Sequence, residues 1–149
     1  MAVQQTFTML KPGVLQRRIV GEILSRIERK GLRIIGMKLM RISRNLAETH
    51  YEEHREKPFF ADLTGYVISA PVVAMVLEGE DAIARVRLLC GATRVEQALP
   101  GTIRGDYATQ TQLNIIHASD SEESAAREIG LFFTEAEIHE YEDGNAEWF

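Results

Sequence analysis

His117 lies between a short apolar run and a Ser/Asp/Glu-rich segment, within Asn114-Ile-Ile-His-Ala-Ser-Asp-Ser121. An imidazole is neutral near pH 7 and can act as nucleophile or base once a hydrogen bond fixes its tautomer. Ser119 and Asp120 follow closely, and Glu128 stands one helix further on. If that helix turns its Glu128 face back, the carboxylate accepts Nδ1–H and leaves Nε2 free to attack phosphorus. The alternative on local pattern is a histidine satisfied beside a helix cap. Lys11 ends the first apolar run, Arg87 lies in a helical stretch, and Arg104 sits in Pro100-Gly-Thr-Ile-Arg-Gly-Asp106. Arginine offers a planar donor fork matched to phosphate, and lysine a compact point charge. Together they could hold a polyphosphate; singly, each reads as an ordinary surface cation. Tyr51 offers a hydroxyl, and Phe59-Phe60 offer either a stacking face or a piece of core. No Walker A loop and no HRD/DFG pair is present, so any phosphate chemistry here takes another route.

His50 and His54 share one helical face by spacing. A zincin needs Glu directly after the first histidine, and Tyr51 stands there, so the pair reads as a solvated face. His139 lies in a polar tail. The chain has 149 residues, enough for one domain and one good core. Its net charge of −5 argues against nucleic-acid binding as the main task, and the scattered cations from Arg17 to Lys38 read mostly as solvated faces. Cys90, the only cysteine, permits neither an intrachain disulfide nor a cysteine-rich zinc site, and suggests a cytoplasmic setting. No signal peptide is expected, and no apolar segment is long enough to span a membrane.

The elements that must position these residues follow from periodicity. Thr6 to Leu10 reads as a strand, and Lys11-Pro12-Gly13 as a turn. Leu15 to Lys30 reads as one helix, with Ile19, Ile23 and Ile27 on its apolar stripe and Gly31 ending it. Leu32 to Ile42 reads as a strand, and Ser43 as the cap of a helix through Tyr51 and His54. A short helix is expected over Ala61 to Ile68, a strand over Val72 to Leu77 and a helix over Glu80 to Leu89. Residues 91–113 read as a long loop, either functional or disordered, and Ile115-Ile116 as a short extended piece. Asp120 with Glu123 fits a capping box opening a helix through Leu131, and the apolar residues up to Phe133 suggest a last strand. This order suits an α+β sandwich, with helices covering one face of an antiparallel sheet; the ferredoxin-like motif is the best match.

The chain resembles the nucleoside diphosphate kinase family over nearly its full length. The resemblance is carried by Lys11-Pro12, Gly21-Glu-Ile-Leu24, Gly31-Leu-Arg-Ile34, Pro58-Phe-Phe60, Gly91-Ala-Thr93, Pro100-Gly-Thr-Ile-Arg104 and the histidine block. It implies a ferredoxin-like sandwich with a four-stranded antiparallel sheet, and a ping-pong phosphoryl transfer between nucleoside tri- and diphosphates. His117 resembles the phosphorylated nucleophile, Glu128 its Nδ1 orienter, and Ser119 a residue positioning that pair. Lys11 resembles the cation facing the transferred phosphate. Tyr51, Arg87, Thr93 and Arg104 resemble its other phosphate ligands, and Lys11 with Asn114 the residues holding the ribose hydroxyls and the β-side of the nucleotide. Phe59 resembles the residue stacked on the base, with Leu63 its apolar neighbour. The resemblance further implies Mg2+ arriving with the nucleotide, with Asp120 as the acidic position near it.

Several positions depart from the family pattern. Gly13 follows Lys-Pro where Asp is common, Ala118 stands for Gly and Cys90 for Met. Arg94-Val95 replaces the common Asn-Pro, freeing the loop before Pro100, which bears on assembly. The Trp148-Phe149 ending resembles longer members whose tails pack on neighbouring subunits, so residues 135–149 are expected to do so within one domain spanning 1–149. A homohexamer is expected over a tetramer, with no stable nucleic-acid partner and no membrane. The rival expectation is a catalytically silent nucleotide-binding or scaffolding protein, motivated by the 94–95 segment and the aromatic tail.

Overall fold

The computed structural model describes residues 2–149. Four strands alternate with helices: β1 (Val3–Leu10), α1 (Val14–Arg17), α2 (Val20–Arg29), β2 (Arg33–Met40), α3 (Arg44–His50), α4 (Phe60–Val67), β3 (Val72–Glu80), α5 (Ala82–Cys90), α6 (Ile103–Tyr107), β4 (Ile116–Ala118) and α7 (Glu122–Phe132). The sheet order is β2-β3-β1-β4, with every neighbouring pair antiparallel. This is the expected ferredoxin-like α+β sandwich. Among the described residues no helix is long and apolar enough to cross a membrane.

The helices cover both faces of the sheet, not one. Leu10, Val73, Met75 and Leu77 pack with Ile23 and Ile27 of α2 and Val86 of α5. Phe7, Met9, Ala74 and Val76 pack with Ala47 of α3, Val67 of α4 and Phe132 of α7. Successive strand residues point to opposite faces, so a strand covered on both sides loses its polar alternation. Val72 to Leu77 is therefore a continuous apolar run, every residue of it buried.

The expected helix from Leu15 to Lys30 is two helices. Arg18 adopts a left-handed backbone, with φ 59°, and its amide closes α1 on the carbonyls of Val14 and Leu15. The chain re-enters a helix at Val20 on a new axis, which places Ile23 and Ile27 wholly inside. Helix α7 is capped by Ser121, whose hydroxyl accepts the Ser124 amide at 3.0 Å, and not by Asp120. It runs through Phe132, so no last strand forms: Phe132 stacks on Phe7 at 4.4 Å between centroids, and burial of these rings explains the apolar ending.

The segment 91–113 is largely ordered by α6 and two single turns, Val95–Gln97 and Thr111–Leu113. Thr102 caps α6 by accepting the Gly105 amide at 3.0 Å. Beyond α7 the tail follows β2: the His139 amide donates to Ile35 O at 2.8 Å, the Tyr141 hydroxyl to Ile34 O at 2.7 Å, and Lys38 pairs with Glu137 at 3.0 Å. At its end, Phe149 lies over Gly31 of the same chain.

Gly105 is where α6 can least change. A Cβ there would stand 1.9 Å from the Leu99 carbonyl oxygen, a contact that backbone must move to relieve. Gly105→Ala is expected to destabilise the fold by about 1–3 kcal/mol, the usual range for overpacking. The urea midpoint measures it, and an unchanged midpoint would show that α6 is not held as tightly as this contact requires.

Candidate active site

His117 is the middle residue of β4 and pairs with Met9 of β1. Just before it the chain reverses: Ile115 has φ 77°, and the Ile116 amide donates to Asn114 O at 2.8 Å. A left-handed backbone at a branched residue costs about 1–3 kcal/mol. It is held by burial of the Ile115 side chain and by the Lys11 amide donating to Ile115 O at 2.8 Å. The chain thus enters β4 in a fixed register, with the His117 ring on the same face as Met9.

Glu128, on α7, reaches that ring. Its Oε1 lies 2.8 Å from His117 Nε2, and the Ser119 hydroxyl donates to the same oxygen at 2.7 Å. The sequence expectation placed Glu128 at Nδ1; the contact is at Nε2. Nε2 is the ring nitrogen further from the backbone, the one that a carboxylate arriving from a helix across the sheet face meets. Nδ1 is left as the nitrogen that Glu128 does not hold. Burial pushes the Glu128 carboxyl up, but the hydrogen bond and charge of His117, with the Ser119 bond, outweigh it and hold the group below its ordinary value. Glu128 is therefore an anion at neutral pH, and an anion at Nε2 keeps that nitrogen protonated.

Beside this pair lies a buried cationic lattice. Lys11 Nζ donates to Asn114 Oδ1 at 2.8 Å, and Asn114 Nδ2 to the Thr93 carbonyl at 3.3 Å. Arg104 donates from Nε to Asn114 O at 3.2 Å, from Nη1 to Gly91 O at 2.8 Å and from Nη2 to Ile116 O at 2.6 Å. Burial, then the nearby Arg104 charge, bring the Lys11 ammonium down to about 8. Arg87, largely exposed on α5, donates to Ala118 O at 3.1 Å. Bonds thus join Lys11, Thr93, Arg104 and Asn114 into one set, and Arg87 touches the strand that carries His117. The three acceptors of Arg104 leave it only part of its five donors, so its first task is to tie the 91–104 segment to β4.

The remaining expected residues lie at the end of α3, at α4 and just before α7. Tyr51 is buried with its hydroxyl lacking a partner among the described residues, and burial raises its ionisation well above the ordinary phenol. Phe59 is 47% exposed at the start of α4, its ring 5.5 Å from that of His54. Leu63 lies half-buried one turn on, its amide bonded to the Phe59 carbonyl at 2.9 Å. Asp120 is exposed; a Ser124 hydrogen bond, aided by the Arg87 charge, outweighs burial and holds its carboxyl below the ordinary value.

His50 departs from the expectation of its spacing. It is not on a solvated face: only 5% of it is exposed, and its ring meets that of His117 edge-on, 4.8 Å between centroids. Burial first, then the His117 charge, push its ionisation down to about 3, so it is a neutral ring at physiological pH. The signal that could have found it is the apolar stripe of α3, where Ala47, His50 and Tyr51 follow helical spacing and all three are buried. The histidine type masked the pattern.

Removing donors from the Arg104 lattice leaves buried carbonyls without partners. Arg104→Lys cannot reach all three acceptors, and each one orphaned costs about 1–3 kcal/mol. A drop of about 2 kcal/mol or more in urea unfolding is the expected outcome; equal stability would show that the lattice is not structural.

The family profile described as nucleoside diphosphate kinase matches residues 4–138. A nucleoside diphosphate kinase of Treponema pallidum is 59% identical over 149 residues, covering 100% of both chains. One of Archaeoglobus fulgidus is 53% identical over 146 residues, covering 98% of this chain and 97% of its own. The solved structure of a halophilic nucleoside diphosphate kinase from Halobacterium salinarum, in complex with CDP, superposes with a TM-score of 0.96 at 46% identity, covering 99% of this chain and 98% of that one.

Proposed function

We propose, for a chain that belongs to the nucleoside diphosphate kinase family, that His117 carries the terminal phosphate between two nucleotides in a ping-pong exchange. The activity is that of a nucleoside diphosphate kinase, a phosphotransferase. The silent scaffolding alternative is not favoured. The observation that carries the proposal is the bond of His117 Nε2 to an anionic Glu128 at 2.8 Å, beside the lattice of Lys11 and Asn114.

With Nε2–H donated to Glu128, the lone pair lies on Nδ1. That nitrogen attacks the γ-phosphorus of a nucleoside triphosphate; the bond to the β-γ bridging oxygen breaks, and its electron pair leaves with the diphosphate. The ring gains positive charge as the N–P bond forms, and Glu128 is already placed to stabilise it, with Ser119 fixing the carboxylate. Lys11 and Arg87, with the Tyr51 hydroxyl, Thr93, Asn114 and the free donors of Arg104, meet the negative charge on the transferring oxygens. A nucleoside diphosphate then takes the phosphate by the reverse path. Phe59 presents an exposed ring to the base with Leu63 beneath it, and stacking of this kind tolerates many bases.

The divalent cation is Mg2+ carried by the nucleotide. Among the described residues, the one group of three candidate metal ligands is His50, His117 and Glu128, without Asp120. A carboxylate standing alone suits an ion that is held mainly by phosphates; Asp120 would be the side chain that helps to hold it. When bound, Mg2+ would supply positive charge that offsets the charge of the phosphates.

The assembly in this reading is a homohexamer rather than a tetramer. Met37 and Leu39 on the β2 edge, Leu88, Leu99, Leu113 and Trp148 are all exposed apolar side chains, and such residues favour subunit contacts. The tail from 135 to 149 packs on a neighbouring subunit in this reading, beyond its contacts with β2. The compartment is the cytoplasm, where nucleotides are exchanged, and net charge −5 disfavours stable nucleic-acid binding.

Incubation with γ-labelled ATP and Mg2+ is expected to give an acid-labile label that GDP discharges, and His117→Ala to abolish it and lower turnover by about 10⁴-fold or more. A label that survives in His117→Ala would refute the nucleophile. Lys11 adds a pH dependence. Its charge is present below about pH 8 and lost above it, so kcat/KM, which reports the free enzyme, should fall as pH rises through that value. Lys11→Arg should move this alkaline limb upward; an unmoved limb would assign it elsewhere.

A further inference from the structure

The His50 ring has no role in the chemistry above, yet both of its nitrogens are buried without a hydrogen-bond partner among the described residues. Buried polar atoms are nearly always satisfied, and an orphan calls for an explanation. Packing accounts for the ring: it sits edge-on to Phe132 at 5.2 Å and to Tyr51 at 4.5 Å between centroids. It does not account for two unused nitrogens, since an aromatic hydrocarbon would fill the same space without orphaning either. One ligand atom each of His50, His117 and Glu128 lie within 4.8 Å of one another.

We propose that His50, His117 and Glu128 form a binding site for a borderline transition-metal dication such as Zn2+, and that the ion, once seated, blocks phosphorylation of His117. Zinc bound by nitrogen and oxygen at 2.0–2.2 Å holds its ligand atoms about 3.4 Å apart. His50, within 4.8 Å of the other two, reaches that spacing by closing up to about 1.4 Å, while the His117–Glu128 pair, now at 2.8 Å, opens by about 0.6 Å. Two imidazoles and one carboxylate favour zinc or copper over Mg2+, which prefers oxygen ligands only. His50 offers two ring nitrogens that no group among the described residues uses, and Glu128 supplies a carboxylate. The His117 side chain, 20% exposed, opens the site to solvent, which leaves the fourth position to water. Lys11 and Arg127 lie near enough to oppose a dication, so affinity must come from the ligand bonds.

Binding replaces the proton between His117 Nε2 and Glu128 with the metal, and that proton leaves to solvent. A ring whose Nε2 holds a dication is a poor nucleophile at Nδ1, and Glu128 no longer offsets the charge that phosphorylation develops. Zinc and phosphate are thus mutually exclusive on His117. The inhibition, unlike the binding, rests on His117 being the phosphorylated residue, and the two are measured separately.

The experiment titrates the full chain with Zn2+ against a chromophoric chelator, and with Co2+ as a spectroscopic probe of tetrahedral coordination. One ion per chain is expected, with visible d–d absorption. His50→Gln and His117→Gln should each weaken binding at least tenfold, about the least that losing even a supporting partner costs at a metal site. His54→Gln, which removes the neighbouring His54–Glu53 pair, should leave the affinity unchanged. Each variant is checked by its melting transition; if His50→Gln fails to fold, His117→Gln, whose side chain is less buried than that of His50, and Glu128→Gln carry the test. Equal affinity in the wild type and the folded ligand variants, or no stoichiometric binding by the wild type, overturns the site. Zinc that binds through these residues but leaves phosphohistidine formation intact overturns the inhibition alone. If no phosphohistidine forms without zinc, the kinase reading fails while the metal site is still decided by the titration.

Discussion

A carboxylate buried beneath one nitrogen of an imidazole is the interaction on which the site depends. Glu128 stays ionised in a poorly solvated position only because His117 and Ser119 both donate to it. The same bonds fix which ring nitrogen holds a proton and which holds a lone pair. This couples folding to chemistry. Helix α7 must pack on β1 through Phe132 and Phe7 for Glu128 to reach Nε2, and β4 must pair with β1 for His117 to face it. An open sheet with its shortest strand at one edge can supply both, since β1 is paired on both sides and β4 is only three residues long.

The cationic side of the site is held by a different means. Arg104 ties together Gly91, Asn114 and Ile116 through their carbonyls, and Asn114 passes the constraint to Lys11. The left-handed turn at Ile115 sits inside this frame. Its strain persists because the surrounding bonds over-determine the backbone. Lys11 is therefore a preorganised charge whose ionisation has been shifted toward neutrality by burial, and it needs no reorganisation when a phosphate arrives.

Much of this was legible in the sequence, and the exceptions have physical causes. The Val72–Leu77 run and the Ile23/Ile27 stripe mark β3 and α2 because burial leaves its trace in the sequence, as a continuous apolar run in a strand covered on both faces and as a four-residue repeat in the helix. The helix break at Arg18 leaves none, since the residue is an ordinary arginine in an uncommon backbone. Helix α6 was hidden in 91–113 because its cap, Thr102, and its tightest residue, Gly105, both look like loop chemistry. The histidine block and Pro100-Gly-Thr-Ile-Arg104 pointed to His117 and Arg104, but the nitrogen facing Glu128 depends on how α7 crosses the sheet, and spacing along the chain does not encode that. His50 was misread because a polar residue on an apolar stripe is indistinguishable from a solvated one until the neighbouring helix is placed.

The account turns on Glu128 holding Nε2 and leaving Nδ1 as the nucleophile. The direct test is long-range proton–nitrogen NMR of histidine-¹⁵N-labelled protein, phosphorylated by a nucleoside triphosphate and read for phosphorus coupling. The account predicts phosphorus on Nδ1 of His117, with the Nε2 proton retained and its resonance shifted in Glu128→Gln. Phosphorus on Nε2 would contradict it.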